Sequence, residues 1–288
     1  MDKPVIAAAT LEHFAEGSAH VANERRESGH LQRHHWHDAW WNALPLAAPT
    51  GLLLLWQAAC SLGWMPEQIL PSPTQVAEAA LEMGRSGELA ANVSISLARI
   101  AMGSAAGVLC GLLLGALLGT SERARAYLGP TVRALFAVPS LGWIPILVLV
   151  FGIEETVKVL IIAKAVLVPV CIATSQGLRD VPPRYLEVAH VLRLKAATRW
   201  RKLIVPAAIP AIVSGVRLGI GHAFIALIVV EMLAATEGLG YMMVWGRKLF
   251  QLDIVLASMV IVGIAGYLLD RLLCALEGLP RRWRPSHE

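Results

Sequence analysis

Charge is scarce in this sequence. Asp, Glu, Lys and Arg make up 16% of its 288 residues, well below the roughly one quarter usual in a soluble domain, so an ordinary solvated surface is excluded. Cysteines number four, and Cys60, Cys110, Cys171 and Cys274 fall in four separate apolar stretches. That spacing excludes a disulfide framework or a cysteine-based metal centre and suits small buried side chains. No G-x-x-x-x-G-K-[ST] occurs, so the chain lacks the usual loop for cradling nucleotide phosphates. Residues 1–42 contain no signal-peptide core, which predicts that the first apolar run is an uncleaved anchor. No apolar run holds a cluster of His, Asp and Glu, so no catalytic group is expected.

What is abundant is hydrocarbon: 56% of residues are hydrophobic and the mean hydropathy is +0.58. The sequence therefore predicts an all-α integral membrane protein. Uncharged runs at 39–66, 100–120 and 134–153 each supply about the 20 residues that cross a bilayer as helix. Weaker runs follow at 157–178, with Lys158 and Lys164, at 203–230, with Arg217 and His222, and at 254–269, extendable through "DRLLCAL". Six spans are expected between a polar tail (1–42) and a short final tail (277–288), leaving 43–276 as the membrane domain. With both termini inside, the inner segments carry eighteen Lys and Arg, against Arg85, Arg247, Lys248 and the borderline Lys158 outside. That bias predicts an N-in, C-in topology. The net charge of +4 reflects this asymmetry and gives no reason to expect nucleic acid as a partner.

The most polar stretch between two spans is "EVAHVLRLKAATRWRKLIVPAAIP" (187–210). "VPP" at 181–183 predicts a helix start, and a single helix is expected over Tyr185–Ile204, ended by Pro206 and Pro210. By physics alone, such an amphipathic inner helix could lie on anionic lipid headgroups. Its residues, however, resemble the coupling loop of binding-protein-dependent ABC importer permeases: Glu187-Val188-Ala189, three further residues, Arg193 where the family pattern has glycine, then Val205-Pro206. "LPSPTQV" (70–76), "VPSLGWIPILVLVFGIEETVK" (138–158), "EMLAATEGLGYMM" (231–243) and "LLDRLLCALE" extend the likeness to the nitrate, sulfonate and taurine branch, over about residues 45–284.

The resemblance implies a type I importer permease fold in the inner membrane. It implies a homodimer, two separate ATPase subunits that hold the ATP and Mg, and a periplasmic or lipid-anchored substrate-binding protein. No cofactor is expected on this chain. A segment of about 181–205 would dock on the ATPase through Glu187, Ala189, His190, Arg193 and Leu194. A small anion (sulfonate, taurine or nitrate) would move inward by alternating access. Arg at the glycine position implies a different turn or an added polar contact. A secondary transporter with Lys164, Arg217, His222 and Glu231 as a relay is the rival, although no internal inverted repeat supports it.

Other features carry expectations of their own. Gly103, Gly107, Gly111, Gly115 and Gly119 recur every fourth residue, which predicts a close helix-packing seam, within the chain or across a dimer. Intramembrane Lys164, Arg217, His222 and Glu231 are candidates for the translocation path, with headgroup contact for Arg217 and hydrogen-bonded packing for His222 as alternatives. Arg99, Lys158 and Glu231, near the outer ends of their runs, are expected to snorkel to the surface. His30, His34, His35 and His37 form a His-rich tract, read as a loose tail ending at Trp40 and Trp41 rather than as a metal site. Ser72, Pro73 and Gln75 predict a capped outer helix with Val76, Ala79, Ala80 and Met83 on its apolar face. The acidic side chains Glu67, Glu78, Glu82 and Glu88 offer a landing area for the binding protein.

Overall fold

The computed structural model describes residues 47–64, 66 and 69–281. The tail histidines and Glu67 therefore lie outside the described residues. Two compact units divide at Pro66. The first contributes one helix, α1 (47–61), with Leu52, Leu53, Leu54 and Leu55 all exposed. Four consecutive outward leucines suit a helix bathed in lipid.

In the second unit the order is α2 (Pro73–Arg85), α3 (Glu88–Thr120), α4 (Glu122–Ala137), α5 (Ile144–Phe151), α6 (Glu155–Arg179), α7 (Pro183–Val191), α8 (Ala196–Arg199), α9 (Val205–Ala234), α10 (Leu239–Lys248) and α11 (Leu252–Arg281). Every regular element among the described residues is helical. The α2 start follows its sequence signal: Gln75 N donates to Ser72 Oγ at 3.4 Å and Ser72 N donates to Gln75 Oε1 at 2.8 Å, with Pro73 in the first turn. Val76, Ala79 and Met83 are its buried residues, and the helix packs on α11.

Helices α3, α6 and α9 form the core of this unit. Gly103, Gly107, Gly111, Gly115 and Gly119 all turn to α6. A Cβ on Gly103 would lie 2.5 Å from Ile162 Cγ2, and one on Gly115 2.7 Å from the Cys171 carbonyl oxygen. The seam is thus an intrachain contact, in which missing side chains let backbones touch and dispersion replaces the absent hydrophobic drive.

Three expectations need correction. The run 134–153 is not one straight helix, because α4 and the segment Ser140–Phe151 meet at 88°. Pro139 has no N–H to donate and holds Val138 extended (φ −77°, ψ 118°), which ends α4. The single helix expected over Tyr185–Ile204 is instead α7, a turn, α8 and one wider π-helical turn at Trp200–Ile204. Nor do Pro206 and Pro210 interrupt the chain: α9 runs through both, and the π turn sits where Pro206 withholds a donor from the preceding carbonyls. Among the described residues, α3, α6, the run Ala196–Lys248 and Leu252–Ala275 are long and apolar enough to cross a bilayer, with the bent pair as a fifth if counted as one span.

Candidate functional site: a polar clamp, a chain of hollows and a turn

The ionisable residues of the membrane segments separate into two places. One is a clamp joining α3, α6 and α9, sealed at Arg99, Lys158 and Glu231 and open to water at Glu155. Arg99 is 1% exposed and Glu231 0%, so the expectation that they snorkel is overturned. Arg99 Nη1 donates to Glu231 Oε1 at 2.9 Å and to the Glu237 carbonyl at 2.7 Å. Its Nε and Nη2 donate to the two oxygens of Glu155, each at 2.7 Å. Lys158, also buried, donates to Glu155 Oε1 at 2.7 Å.

The remaining capacity of Glu231 is filled by Ser96 Oγ at 2.7 Å and Gly240 N at 2.9 Å. Asn92 Oδ1 and Ser96 Oγ accept from Gly238 N and Leu239 N at 2.6 and 3.0 Å. Two positive and two negative groups therefore balance, and each buried charge is paired, which is the condition for keeping ions out of water. The turn into α10 (237–240) is drawn onto the clamp so closely that only glycine fits at 238: its φ is +115° and a Cβ would lie 2.7 Å from Arg99 Nη1. Sequence reasoning missed this partnership. The available signal was that opposite charges share one depth in three helices.

Lys164, Arg217 and His222 are in the other place, where helices leave space. His222 borders three hollows of about 560, 660 and 280 Å³. Arg217 lines the first, where its Nη2 lies 3.3 Å from Asp270 Oδ1 and 2.8 Å from Cys274 Sγ on α11. Lys164 lines the third, donates to the Val138 carbonyl at 2.8 Å and stands 5.6 Å above the Trp143 ring. It therefore supports the carbonyl at the broken end of α4, a favourable place for a cation, while bordering open space. Glu231 lines none of these three hollows, so the four groups of the rival relay are not assembled together.

At the far end of α6, the segment 187–194 forms a compact exposed feature. Glu187, His190 and Arg193 are exposed, Ala189 is buried and Leu194 is half-buried. Arg193 has φ +47°. Arg193 N donates to the His190 carbonyl and Leu194 N to the Ala189 carbonyl, both at 3.0 Å, the paired bonds of a Schellman helix end. The expectation of a different turn is thus corrected: the chain keeps the turn that glycine favours and accepts the left-handed conformation at Arg193, at about 1 kcal/mol. Arg193→Gly is expected to stabilise this turn by about that amount, while Arg193→Val, β-branched, should weaken it. Protease cleavage within 187–202 would report the order; equal cleavage of all three proteins would refute it.

The bent α4–α5 pair, the glycine seam and an exposed helical turn between two long helices now stand together. Residues 107–279 match the family described as binding-protein-dependent transport system inner membrane component. The chain belongs to that family. As an ABC permease it has curated relatives across most of its length. One named for aliphatic sulfonates transport, SsuC of Bacillus subtilis, is 36% identical over 84% of this chain and 88% of its own. The taurine transport system permease protein TauC of Escherichia coli is 33% identical over 82% and 86%, and the nitrate import permease protein NrtB of Synechocystis sp. is 32% identical over 82% and 88%. A solved inward-facing structure of the MetNI methionine ABC transporter covers 75% of this permease and 99% of its own chain at TM-score 0.50 and 15% identity, a likeness of fold.

Proposed function

We propose that this permease is the transmembrane half of an ATP-driven importer for a small oxyanion, with an alkanesulfonate first, taurine second and nitrate third. The observation that carries the reading is the 36% identity, over 84% of the chain, to the relative named for aliphatic sulfonates transport. Cationic Lys164 and Arg217 beside hollows bordered by His222 agree with an anionic cargo.

In this reading two copies pair around a central path, six spans each, with both termini on the cytoplasmic side of the inner membrane. The membrane domain is 43–276, with tails 1–42 and 277–288. Glu187, Ala189, His190, Arg193 and Leu194, within the coupling segment 181–205, rest on separate ATPase subunits that hold ATP and Mg. A binding protein delivers cargo to the opposite face. ATP-driven closure of the ATPase pair moves the coupling segment and changes which side of the path is open. Energy enters from the partner chain.

The test is reconstitution of the permease with its ATPase and binding protein in vesicles. Ethanesulfonate uptake should require nucleotide, and removal of residues 187–202 should release the ATPase in detergent. Uphill uptake by the permease alone, with no nucleotide, would overturn the reading.

A further inference from the structure

The hollow at the α7 end of the core is lined by arginine from two helices and has no assigned role. It measures about 500 Å³ and lies between α4 and α6, with Leu118 of α3 at its edge. Arg125 and Arg133 enter from α4, and Arg179, with Ser175 and Gln176, from α6. Their partners are few. Arg125 Nη2 is 3.7 Å from Glu122 Oε1, whose side chain is 92% exposed, a distance and exposure at which an ion pair contributes little. Among the described residues, Arg179 Nε donates to the Ser175 carbonyl at 3.2 Å. Among the described residues, neither Arg133 nor Arg179 forms an ion pair with a carboxylate.

The sealed clamp at the opposite end of α6 is a direct contrast, because there each buried cation meets a carboxylate. Three guanidinium groups around one space, with no carboxylate among the described residues that line it, leave donor capacity that suits a tetrahedral or trigonal oxyanion through paired N–H bonds. Phe136 and Val168 belong to both this hollow and the one that holds Lys164, so the two spaces adjoin.

We propose that Arg125, Arg133 and Arg179 form an oxyanion-binding site between α4 and α6, taking a sulfonate or phosphate group. On the proposed topology, and resting on the reading of the cargo as an anion, this is an inner station next to Lys164 on the way to the cytoplasm. Two sources share that chemistry: a free alkanesulfonate, and the phosphate of an anionic lipid headgroup.

The experiment uses the full chain with its ATPase in nanodiscs of phosphatidylcholine, titrated with radiolabelled ethanesulfonate. Saturable binding is expected, and R133Q/R179Q should weaken it at least tenfold without changing the thermal midpoint. R247Q/K248Q, at the other end of the permease, should leave it unchanged. In a second arm, phosphatidylglycerol is added. If it displaces the label and stays with the wild-type chain but not with R133Q/R179Q in native mass spectrometry, the site stands with lipid as an occupant; if the label stays, the site stands with free anion. Neither anion depending on the arginines would overturn the site. Failure of ATP-dependent ethanesulfonate uptake with arginine-dependent headgroup binding intact would instead remove the cargo reading and leave the site. Normal uptake with arginine-independent binding would do the reverse.

Discussion

Glu231→Ala should cost the folded permease about 3 to 5 kcal/mol, the range for deleting one partner of a buried ion pair. The carboxylate is completely buried and accepts from Arg99 Nη1, Ser96 Oγ and Gly240 N. Its removal leaves a guanidinium N–H, a hydroxyl and a backbone N–H of the first turn of α10 facing a void, each without solvent to replace the lost bond. Glu122 is the control. It lies 3.7 Å from Arg125 Nη2 but its side chain is 92% exposed, so water replaces the lost contact and Glu122→Ala should cost no more than about 1 kcal/mol. Thermal midpoints of the full chain in mild detergent, followed by retention of a monodisperse peak, would rank the two. Equal loss in both variants would contradict a sealed clamp.

The glycine seam gives the second large effect. A Cβ at Gly115 would lie 2.7 Å from both the Cys171 carbonyl oxygen and Thr174 Cβ, and one at Gly111 2.9 Å from Val170 Cβ. A flexible side-chain end could swing aside, but a carbonyl within α6 moves only with its helix. Gly115→Val is therefore expected to push α3 from α6 and cost about 3 kcal/mol or more. Gly263 on α11 has open space around its Cβ position, so Gly263→Ala should be neutral or stabilise the helix by up to about 1 kcal/mol. Midpoint shifts of similar size in both variants would mean that the seam does not set the helix spacing.

Local signals in the sequence were read well where one short segment decides the outcome. Ser72, Pro73 and Gln75 specify the α2 start because the capping groups are three residues apart. The fourfold glycine spacing specifies a close face because 3.6 residues complete a turn, although only the folded chain shows that the opposing surface is α6. Where two distant segments must meet, the pattern was silent. Arg99 and Glu231 are separated by 132 positions, and each alone reads as a snorkelling end residue as easily as half of a pair. The break at Val138–Pro139 was hidden for another reason: hydropathy counts apolar atoms and does not register a missing backbone donor. Arg193 shows the limit of residue-type rules, since two backbone hydrogen bonds hold an arginine where glycine was expected. Translocation and coupling roles rest on motion and partners, which composition does not encode.

Helix α9 begins directly at the π turn, with no loop between them, and its 30 residues give a rod about 45 Å long. It carries Arg217 and His222 along its length and Glu231 near its far end. On the proposed coupling, a displacement applied to α8 would be carried along α9 toward the Arg99 lock, with the widened turn and Pro210 as its compliant points. The same polypeptide segment would be push-rod, wall and bolt at once.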